Sequence, residues 1–484
     1  MPASVYPTGT TIYNPEKSWN GYTIFQARDV GATLIDMNGN VVNQWKGLHG
    51  FPNKMLPGGY VIGSTGIRSE KYGYQDYLDL VQVDWEGNIV WKFNKHEFIR
   101  DPRRKPMWMA RQHHDYQREG NPVGYYVPEM EPLVDRGNTL ILCHKNLRNP
   151  EITDKVLMDD VFIEVTWDGE KIWEWTCSEH FAELGFSEEA RNTMYRHPNI
   201  RRLAGEVGDW MHINSLSLIG PNKWYDSGDE RFHPENIIWS SRMANILAIT
   251  DKTTGRIVWQ VGPDYSYSLS LRKLGQIVGP HHVHVIPRGL PGEGNILVFD
   301  NGGMGGYGNP NPGAPLGISN AMRDYSRVLE FKPLTLEIVW KYTPREAELA
   351  MPMQSALFYS SLVSSAQRLP NGNTLITEGA TGRIFEVTPN YETVWEYLSP
   401  FYERKMRNLN YVYRACRVPY EWVPQADRPA EKAILRIDNS RFRVSGSPPG
   451  KARKVTVVKT GRKFVSDSQF CALPDFDTKE GKKK

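Results

Sequence analysis

Six of the 12 histidines in the chain fall in three short clusters that could share one site. An imidazole changes protonation near neutral pH, so it can act as an acid, a base or a nucleophile. Each cluster begins a strand-like segment directly after a long insert. The clusters are His113 and His114, then His212, then His281, His282 and His284. Because these positions correspond within a repeat, we expect the side chains to meet.

Other polar and aromatic residues would surround the histidines. The polar set on the same predicted strands comprises Asn214, Arg242, Asn301, Gln367 and Arg368. Arginine presents a planar fork of donors that suits carboxylate, sulfate or phosphate oxygens. Aromatic rings in the inserts could stack on a substrate ring, and they include Trp108, Tyr265, Tyr267, Phe358 and Tyr359. Together these residues predict a small anionic or aromatic substrate.

Two reactions fit such a histidine cluster. In the first, one histidine attacks an activated sulfuryl or phosphoryl group, while arginine, asparagine and the other imidazoles neutralise its oxygens, and no cofactor is needed. The second reaction is that of a metal-dependent lyase or hydrolase, in which a divalent metal polarises a substrate oxygen. The metal ligands in this alternative are His114, His212, His281, His282 and His284. Arginine and asparagine favour the first, because a metal would already supply positive charge. A non-catalytic interaction module is the third hypothesis.

A repeated hairpin would position these residues. Six segments share an alternating hydrophobic strand, an Asp/Asn/Gly turn and a second strand that carries tryptophan: 32–45, 78–93, 161–175, 245–261, 327–342 and 383–397. A second hairpin alternates with the first, which gives four strands per unit. Repeated four-stranded units predict an all-β chain, a six-bladed β-propeller over 1–400, whose innermost strands line the axis. We expect residues 21–26 to join the last blade and close the ring.

The remaining length falls in inserts and at the C-terminal end. Long inserts at 94–112, 176–211, 262–280 and 343–363 all connect an outer strand to the next inner strand, so they lie on one face. Ser187 and the Thr343–Pro344 pair resemble helix starts, which predicts helical inserts over 187–196 and 343–351. Residues 401–484 are predicted to form a C-terminal extension that ends in a basic, partly disordered tail.

Charge and composition exclude several classes of function. The chain has 58 Lys+Arg and 55 Asp+Glu, and the basic excess lies in the tail, so no nucleic-acid surface is expected. No apolar run reaches the roughly 18 residues of a membrane span. The four cysteines are widely spaced, which predicts neither a disulfide framework nor a zinc-binding motif. Without an apolar leader segment the chain is expected in the cytoplasm, or in the periplasm if a signal sequence has been removed.

Several stretches of the chain resemble bacterial aryl-sulfate sulfotransferases. They include PTGTTIYNPEKSWNGYTIF (7–25), LIDMNGNVVNQW, DWMHINSL, IIWSSR, HHVHVIP with GNILVFDNG, YSRVLEF and AQRLPNGNTLITEG. The resemblance covers about residues 5–425, and the order of the motifs carries it. It implies a six-bladed propeller that transfers a sulfuryl group from an aryl sulfate to a phenol through a transient sulfohistidine.

The resemblance also implies roles for individual residues. The family's nucleophile maps onto His281, with His282 and His284 as rivals. Its sulfuryl-binding residues map onto Arg242, His212 and Asn214, and a further histidine, which would handle the phenolic proton, maps onto His114 or His113.

Overall fold

Short antiparallel strands dominate the computed structural model, which describes residues 7–27, 29–69, 71–198, 208–403 and 409–436. All of these belong to one unit that spans Met1–Ile437. The predicted basic tail, with most of the predicted extension, lies outside the described residues. Within the described ranges, no helix combines the length and apolar character that a membrane crossing requires.

The strands are brief and follow one another closely along the chain. They are Gly9–Tyr13 (β1), Tyr22–Ala27 (β2), Gly31–Ile35 (β3), Val41–Trp45 (β4), Lys54–Leu56 (β5), Tyr60–Ile67 (β6), Tyr77–Val83 (β7), Ile89–Phe93 (β8), Glu97–Ile99 (β9), Met107–Met109 (β10), Gln112–Arg118 (β11), Thr139–Leu147 (β12), Leu157–Val165 (β13), Lys171–Thr176 (β14), Ile213–Leu218 (β15), Ile237–Ser241 (β16), Ile246–Thr250 (β17), Ile257–Val261 (β18), His281–Val285 (β19), Ile296–Asp300 (β20), Gly305–Tyr307 (β21), Ile318–Ala321 (β22), Arg327–Phe331 (β23), Ile338–Tyr342 (β24), Ser365–Arg368 (β25), Thr374–Glu378 (β26), Arg383–Val387 (β27), Thr393–Leu398 (β28) and Ala415–Val418 (β29). The α-helices are Glu188–Arg196 (α1), Lys223–Asp226 (α2) and Leu269–Leu274 (α3), and short 3-10 helices cover Pro57–Gly59, Cys177–Leu184, Glu230–Phe232, Ser355–Leu357, Gly379–Thr381 and Tyr420–Trp422.

The strands assemble into repeated antiparallel sheets. Three sheets have four strands, in the orders β15-β16-β17-β18, β19-β20-β23-β24 and β29-β2-β3-β4. A fourth has the order β1-β28-β27-β26-β25, and an eight-stranded sheet contains β5 to β8 together with β11 to β14. The pairs β9-β10 and β21-β22 each form a separate two-stranded sheet. The predicted all-β, propeller-like architecture of four-stranded units is confirmed.

Local turn chemistry explains why the first hairpin repeats. In the turn after β3, the Asp36 carboxylate accepts the backbone N–H of Asn40 at 2.8 Å, and Gly39 takes a φ of 84° that few other residues tolerate. The turn after β7 repeats this arrangement with Asp84 and Asn88, which are joined at 2.7 Å. Side-chain-capped turns of this kind set the register of these two hairpins.

The repeated tryptophans tie neighbouring repeats together. The indole N–H of Trp91 donates to the carbonyl of Trp167, in the turn of the next repeat, at 2.7 Å. The same bond recurs with the donor–acceptor pairs Trp45–Asp84, Trp173–Lys252, Trp259–Pro333 and Trp340–Pro389. Trp395, in the last repeat, donates to the carbonyl of Met37 in the first repeat at 2.7 Å. The row of bonds therefore returns to its starting repeat.

The strands that join the two ends of the chain differ from the sequence prediction. Residues 21–26 were expected in the last repeat, but β2 pairs with β3 and β29, and it is β1 that pairs with β28. The local pattern of β2 specifies a buried strand without specifying its distant partner, which explains the error. β29 lies beyond the predicted propeller boundary at residue 400, and that boundary stays a prediction.

The inserts are less helical than predicted. Helix α1 is present, and the Ser187 side chain accepts the N–H of Ala190, as its sequence indicates. The helix predicted over 343–351 is wrong: residues 344–348 form turns, and Glu348 has a φ of 59° that ends the helical path.

The innermost strands follow one another in space as they do along the chain. β11 contacts β15, β15 contacts β19, β19 contacts β25, and β25 contacts β29. This order brings the histidines of β11, of β19 and of the residue before β15 onto neighbouring strands.

Candidate functional site

Three histidines share an unusual backbone conformation where inner strands begin. His114, His212 and His282 have φ values of 53°, 50° and 52°. The strand pairing shifts register beside each of them. A bulge of this kind re-aims side chains, and a left-handed residue other than glycine costs about 1–3 kcal/mol, which makes these outliers functional candidates.

Three predicted site histidines and Arg242 lie near one another: two of the rings adjoin Tyr413, and the backbone N–H of Arg242 donates to the His212 carbonyl at 3.2 Å. The rings of His114 and His212 lie 4.6 Å apart, and Tyr413 lies 5.7 Å from His114 and 6.4 Å from His281. Burial and, next, the positive charge of Arg242 lower the pKa of His281 to about 3. The cluster of His114, His212, His281 and Arg242, called the axial cluster below, is thus one buried site whose His281 is uncharged at neutral pH.

The hydrogen bonds of His281 assign the position of its proton. Its Nδ1 lies 2.7 Å from Asn301 Oδ1 and 3.1 Å from the Gly279 carbonyl, and both of these partners are acceptors. The Asn301 amide cannot be reversed, because its nitrogen donates to the carbonyls of Ser360 and Val363 at 2.6 and 2.8 Å. Nδ1 therefore carries the proton, and Nε2 keeps a lone pair.

Asn301 consequently has a different role from the predicted substrate contact. Both of its amide hydrogens are donated to backbone carbonyls and its oxygen accepts from His281, so no donor is left for a ligand. Asn301 is a positioning residue for His281. The sequence prediction erred because strand alternation alone does not show whether a polar side chain faces the axis or a neighbouring loop.

His212 is oriented by a carboxylate. Its Nδ1 lies 2.7 Å from Asp209 Oδ2, so Nδ1 donates and Nε2 is directed elsewhere. Burial raises the pKa of the Asp209 carboxyl, but the charge of His212 and this hydrogen bond outweigh burial and hold the pKa below its usual value. A buried carboxylate on one nitrogen fixes the tautomer and stabilises positive charge on the ring.

His114 is paired with His113 behind it. The two Nδ1 atoms lie 2.8 Å apart, so one of them must donate to the other. Burial, followed by the charge of His212, lowers the pKa of His114 well below its usual value. His113 is fully buried and stacks on His144 at 3.5 Å, so of the two candidates for the phenolic proton only His114 contacts the ring of His212.

The aromatic wall of the site consists mainly of residues that the sequence prediction missed. Phe51 lies 4.3 Å from Tyr413 and 5.6 Å from His114, and Tyr74 lies 6.2 Å from His212. These residues fall outside the repeated hairpins, and no pattern in the sequence pointed to Tyr413. The wall could contact an aromatic substrate.

Most of the aromatic residues predicted from the inserts lie elsewhere. Phe358 belongs to the hydrophobic core, 5.1 Å from Tyr342, and Trp108 packs on Phe98. Tyr265 is buried against the backbone, and Tyr267 is 84% exposed. The backbone N–H of Tyr359 donates to the Glu378 carboxylate at 3.3 Å.

The remaining predicted residues make structural contacts. His284 bonds Tyr125 through Nε2 at 2.9 Å and the carbonyl of His282 through Nδ1 at 3.1 Å. Gln367 pairs with the backbone of Arg417, and Arg368 is bound to Glu330 at 2.6 Å. The structure therefore does not bring Gln367 or Arg368 to the axial cluster.

Asn214 occupies an intermediate position. Its nitrogen donates to the Pro280 carbonyl at 2.8 Å, next to His281, and its oxygen accepts from Ser240 at 2.8 Å. One amide hydrogen has no described hydrogen bond, so Asn214 can both position the start of β19 and offer a donor.

The sequence prediction also missed a buried ion network that lies beside the histidines of the inner strands. Asp115 binds Lys54 at 2.7 Å and Arg414 at 2.9 Å, and all three side chains are buried. Nε and Nη2 of Arg414 have no hydrogen-bond partner among the described residues. Two cations against one carboxylate leave this region positive, which favours an anionic ligand.

Metal-ligating atoms converge at a different place from the predicted alternative. Within the described ranges, three such atoms lie within 4.8 Å of one another at His113, His144 and Asp160. The alternative set of axial histidines stays a prediction.

Comparisons with known proteins give the family. The model of the family described as arylsulfotransferase (ASST) matches residues 131–394, more than half of the chain. No curated protein matches it significantly in sequence. Among solved structures, a protein of unknown function from Bacteroides caccae is 11% identical with a TM-score of 0.41, covering 82% of this chain and 98% of its own. Virginiamycin B lyase from Staphylococcus aureus is 10% identical with a TM-score of 0.34, covering 83% and 86%. Identities and TM-scores this low say nothing about the substrate or the reaction of this chain.

The family match, by contrast, spans His212, Arg242 and His281, and the chain belongs to the arylsulfotransferase (ASST) family.

Proposed function

We propose that this protein transfers a sulfuryl group from an aryl sulfate to a phenolic acceptor through a sulfohistidine at His281. The carrying observation is the hydrogen bonding of its Nδ1, which holds the ring proton there and leaves a lone pair on Nε2 for the attack. A pKa of about 3 keeps this imidazole uncharged, and therefore nucleophilic, at neutral pH.

Each step is assigned to a residue of the axial cluster. Nε2 of His281 attacks sulfur and the bond between sulfur and the aryl oxygen breaks. The phenolate takes a proton from His114, which has to be protonated first with the help of the negative charge of the bound sulfate, because burial lowers the pKa of this ring. An acceptor phenol then returns a proton to His114, its oxygen attacks sulfur, and the sulfur–Nε2 bond breaks. Arg242, His212 and Asn214 bind the sulfuryl oxygens, whose charge grows in the transition state.

The two rival nucleophiles are less suitable. Both nitrogens of His284 are already engaged by hydrogen bonds. Nδ1 of His282 is buried with no hydrogen-bond partner among the described residues, so nothing fixes its proton as Asn301 fixes that of His281. These contacts favour His281, and the assignment agrees with the family resemblance.

The transfer is tested with a chromogenic aryl sulfate and a phenol acceptor, with phenol release and the sulfated product both measured. His281→Ala should abolish both signals, whereas alanine at His49, which is exposed, should leave them unchanged. The metal-dependent lyase or hydrolase alternative predicts that the sulfated acceptor never forms. Formation of that product by His281→Ala at the wild-type rate would refute the proposed nucleophile.

We also propose that the propeller has six blades. The eight-stranded sheet is joined at the single residue pair Gln112–Tyr77, and division at that pair leaves two four-stranded units. The tryptophan bonds that return from Trp395 to Met37 support a closed ring of six repeats. An experimental density map with any other number of four-stranded units around the axis would contradict this count.

A further inference from the structure

Three buried atoms without hydrogen-bond partners converge behind the axial cluster. They are Nε2 of His113, Nε2 of His144 and Oδ1 of Asp160, on side chains that are at most 1% exposed. Asp160 Oδ1 lies 3.3 Å from the His113 nitrogen and 4.0 Å from the His144 nitrogen. Buried polar atoms almost always have partners, so three that face one another indicate a missing one.

Adjacent strands hold the three residues in place. His113 belongs to β11, His144 to β12 and Asp160 to β13, and His144 and Asp160 are directly paired across the sheet. The other oxygen of Asp160 accepts the backbone N–H of Ile213 at 3.0 Å, which turns Oδ1 toward the two histidines. The arrangement is therefore part of the sheet framework, not of a mobile loop.

A second carboxylate orients His144. Asp76 Oδ1 lies 2.6 Å from its Nδ1, and Asp76 is itself held by Arg68 and Arg111 at 3.0 and 2.8 Å. Nδ1 of His144 therefore carries the proton, and the Nε2 lone pair faces Asp160. A carboxylate behind a histidine is the usual support of a metal-ligating imidazole.

We propose that His113, His144 and Asp160 bind a divalent transition metal, with zinc the best match to two imidazoles and a carboxylate. Ligand atoms around tetrahedral zinc lie about 3.4 Å apart, as follows from bonds of about 2.1 Å. The Asp160–His113 separation already fits. His144 has to approach Asp160 and tilt away from His113, since two parallel rings 3.5 Å apart do not direct their lone pairs to one point.

Metal binding would determine which ring nitrogen of His114 carries the proton. A metal on Nε2 of His113 leaves the only ring proton on Nδ1, which must then donate to His114 Nδ1 at 2.8 Å. Nδ1 of His114 would then accept this bond, and the proton of the neutral His114 ring would lie on Nε2. Neither this consequence nor the metal site rests on the proposed function.

The site is tested by metal content and by binding, with the full chain. We expect about one zinc per chain after exposure to zinc and gel filtration, and at least a tenfold weaker zinc affinity for His144→Ala and Asp160→Asn, measured against a competing chelator dye. The matched control is His96→Ala, since both ring nitrogens of His96 are also buried without partners but lie outside the cluster; it should bind like wild type.

Cobalt uptake by the wild-type protein gives a measurement that does not depend on whether a variant folds. Visible absorption bands of tetrahedral cobalt are expected after cobalt replaces zinc. A metal-depleted wild-type protein that takes up neither metal, or an unchanged zinc affinity in both folded ligand variants, would overturn the proposal. Neither readout uses sulfuryl transfer, so failure of the metal site and failure of the proposed reaction are distinguishable.

Discussion

Replacing Asn301 by leucine removes the hydrogen bond that fixes the proton of His281, with little change in side-chain volume. Attack by Nε2 on sulfur makes the ring positive, so the 2.7 Å bond from Nδ1 becomes a bond from a charged donor. Such bonds contribute about 1.5–3 kcal/mol. The weaker 3.1 Å bond to the Gly279 carbonyl remains. The rate of enzyme sulfation should therefore fall about 10- to 150-fold, at 1.36 kcal/mol for each factor of ten.

The same substitution also destabilises the fold, and this effect has to be separated. Asn301 donates to the Ser360 and Val363 carbonyls, and each carbonyl left unpaired costs about 1–3 kcal/mol. Asn295→Leu is the matched control. Asn295 directly precedes β20, whereas Asn301 directly follows it, so Asn295 lies at the end of the strand away from His281. Asn295 donates to Glu330 at 2.7 Å. It should lower the melting temperature without a comparable loss of rate.

The assay is the first-turnover release of phenol from an aryl sulfate, measured at saturating substrate and at temperatures where both variants are folded. The loss should lie in the rate of the chemical step and not in KM, because Asn301 does not contact substrate in the proposed mechanism. Equal first-turnover rates for Asn301→Leu and Asn295→Leu would refute the assignment of Asn301 as the residue that positions His281.

Three further predictions concern the site, the ring and acid stability. Arg242→Ala should reduce kcat about 10²–10³-fold through loss of transition-state charge stabilisation, with partial recovery in Arg242→Lys; an unchanged kcat would exclude Arg242 from sulfuryl binding. Trp395→Phe breaks the buried bond to Met37 and should lower the free energy of unfolding by about 1–3 kcal/mol, more than Trp340→Phe, whose bond is exposed; equal denaturant midpoints would contradict this. Burial lowers the pKa of His281 and of His284 to about 3, so below about pH 6.5 the unfolded chain binds protons that the folded one does not. Stability should then fall by about 1.4 kcal/mol per pH unit for each histidine, as denaturant titrations can show, and a flat profile from pH 6.5 to 5 would contradict the neutral buried state.

The repeated hairpins could be predicted because their signals are local. Turns such as Asp36 to Asn40 are specified by a few adjacent residues, and alternation over five residues is enough to indicate a half-buried strand. The pairing of β1 with β28 joins residues from the two ends of the chain. No local pattern encodes such a distant partner, which is why residues 21–26 were assigned to the wrong sheet.

The candidate site was predicted in part for the same reason. His114, His212 and His281 were found because the three histidine clusters that contain them recur at corresponding places in a repeat. Tyr413 and Arg414 were missed because they follow the last repeat, where the sequence offered no register. The role of Asn301 depended on the facing carbonyls of Ser360 and Val363, which become visible only once the loop is folded against β20.

The most direct test of the central claim is to locate the sulfuryl group on the enzyme. The protein is mixed with an aryl sulfate in the absence of acceptor, quenched under mildly alkaline conditions and mapped by peptide mass spectrometry. We predict one sulfuryl group on the peptide that contains His281, bound to the imidazole, and none in His281→Ala. Phenol release without any covalent sulfuryl group, or a label on a different residue, would contradict a sulfohistidine at His281.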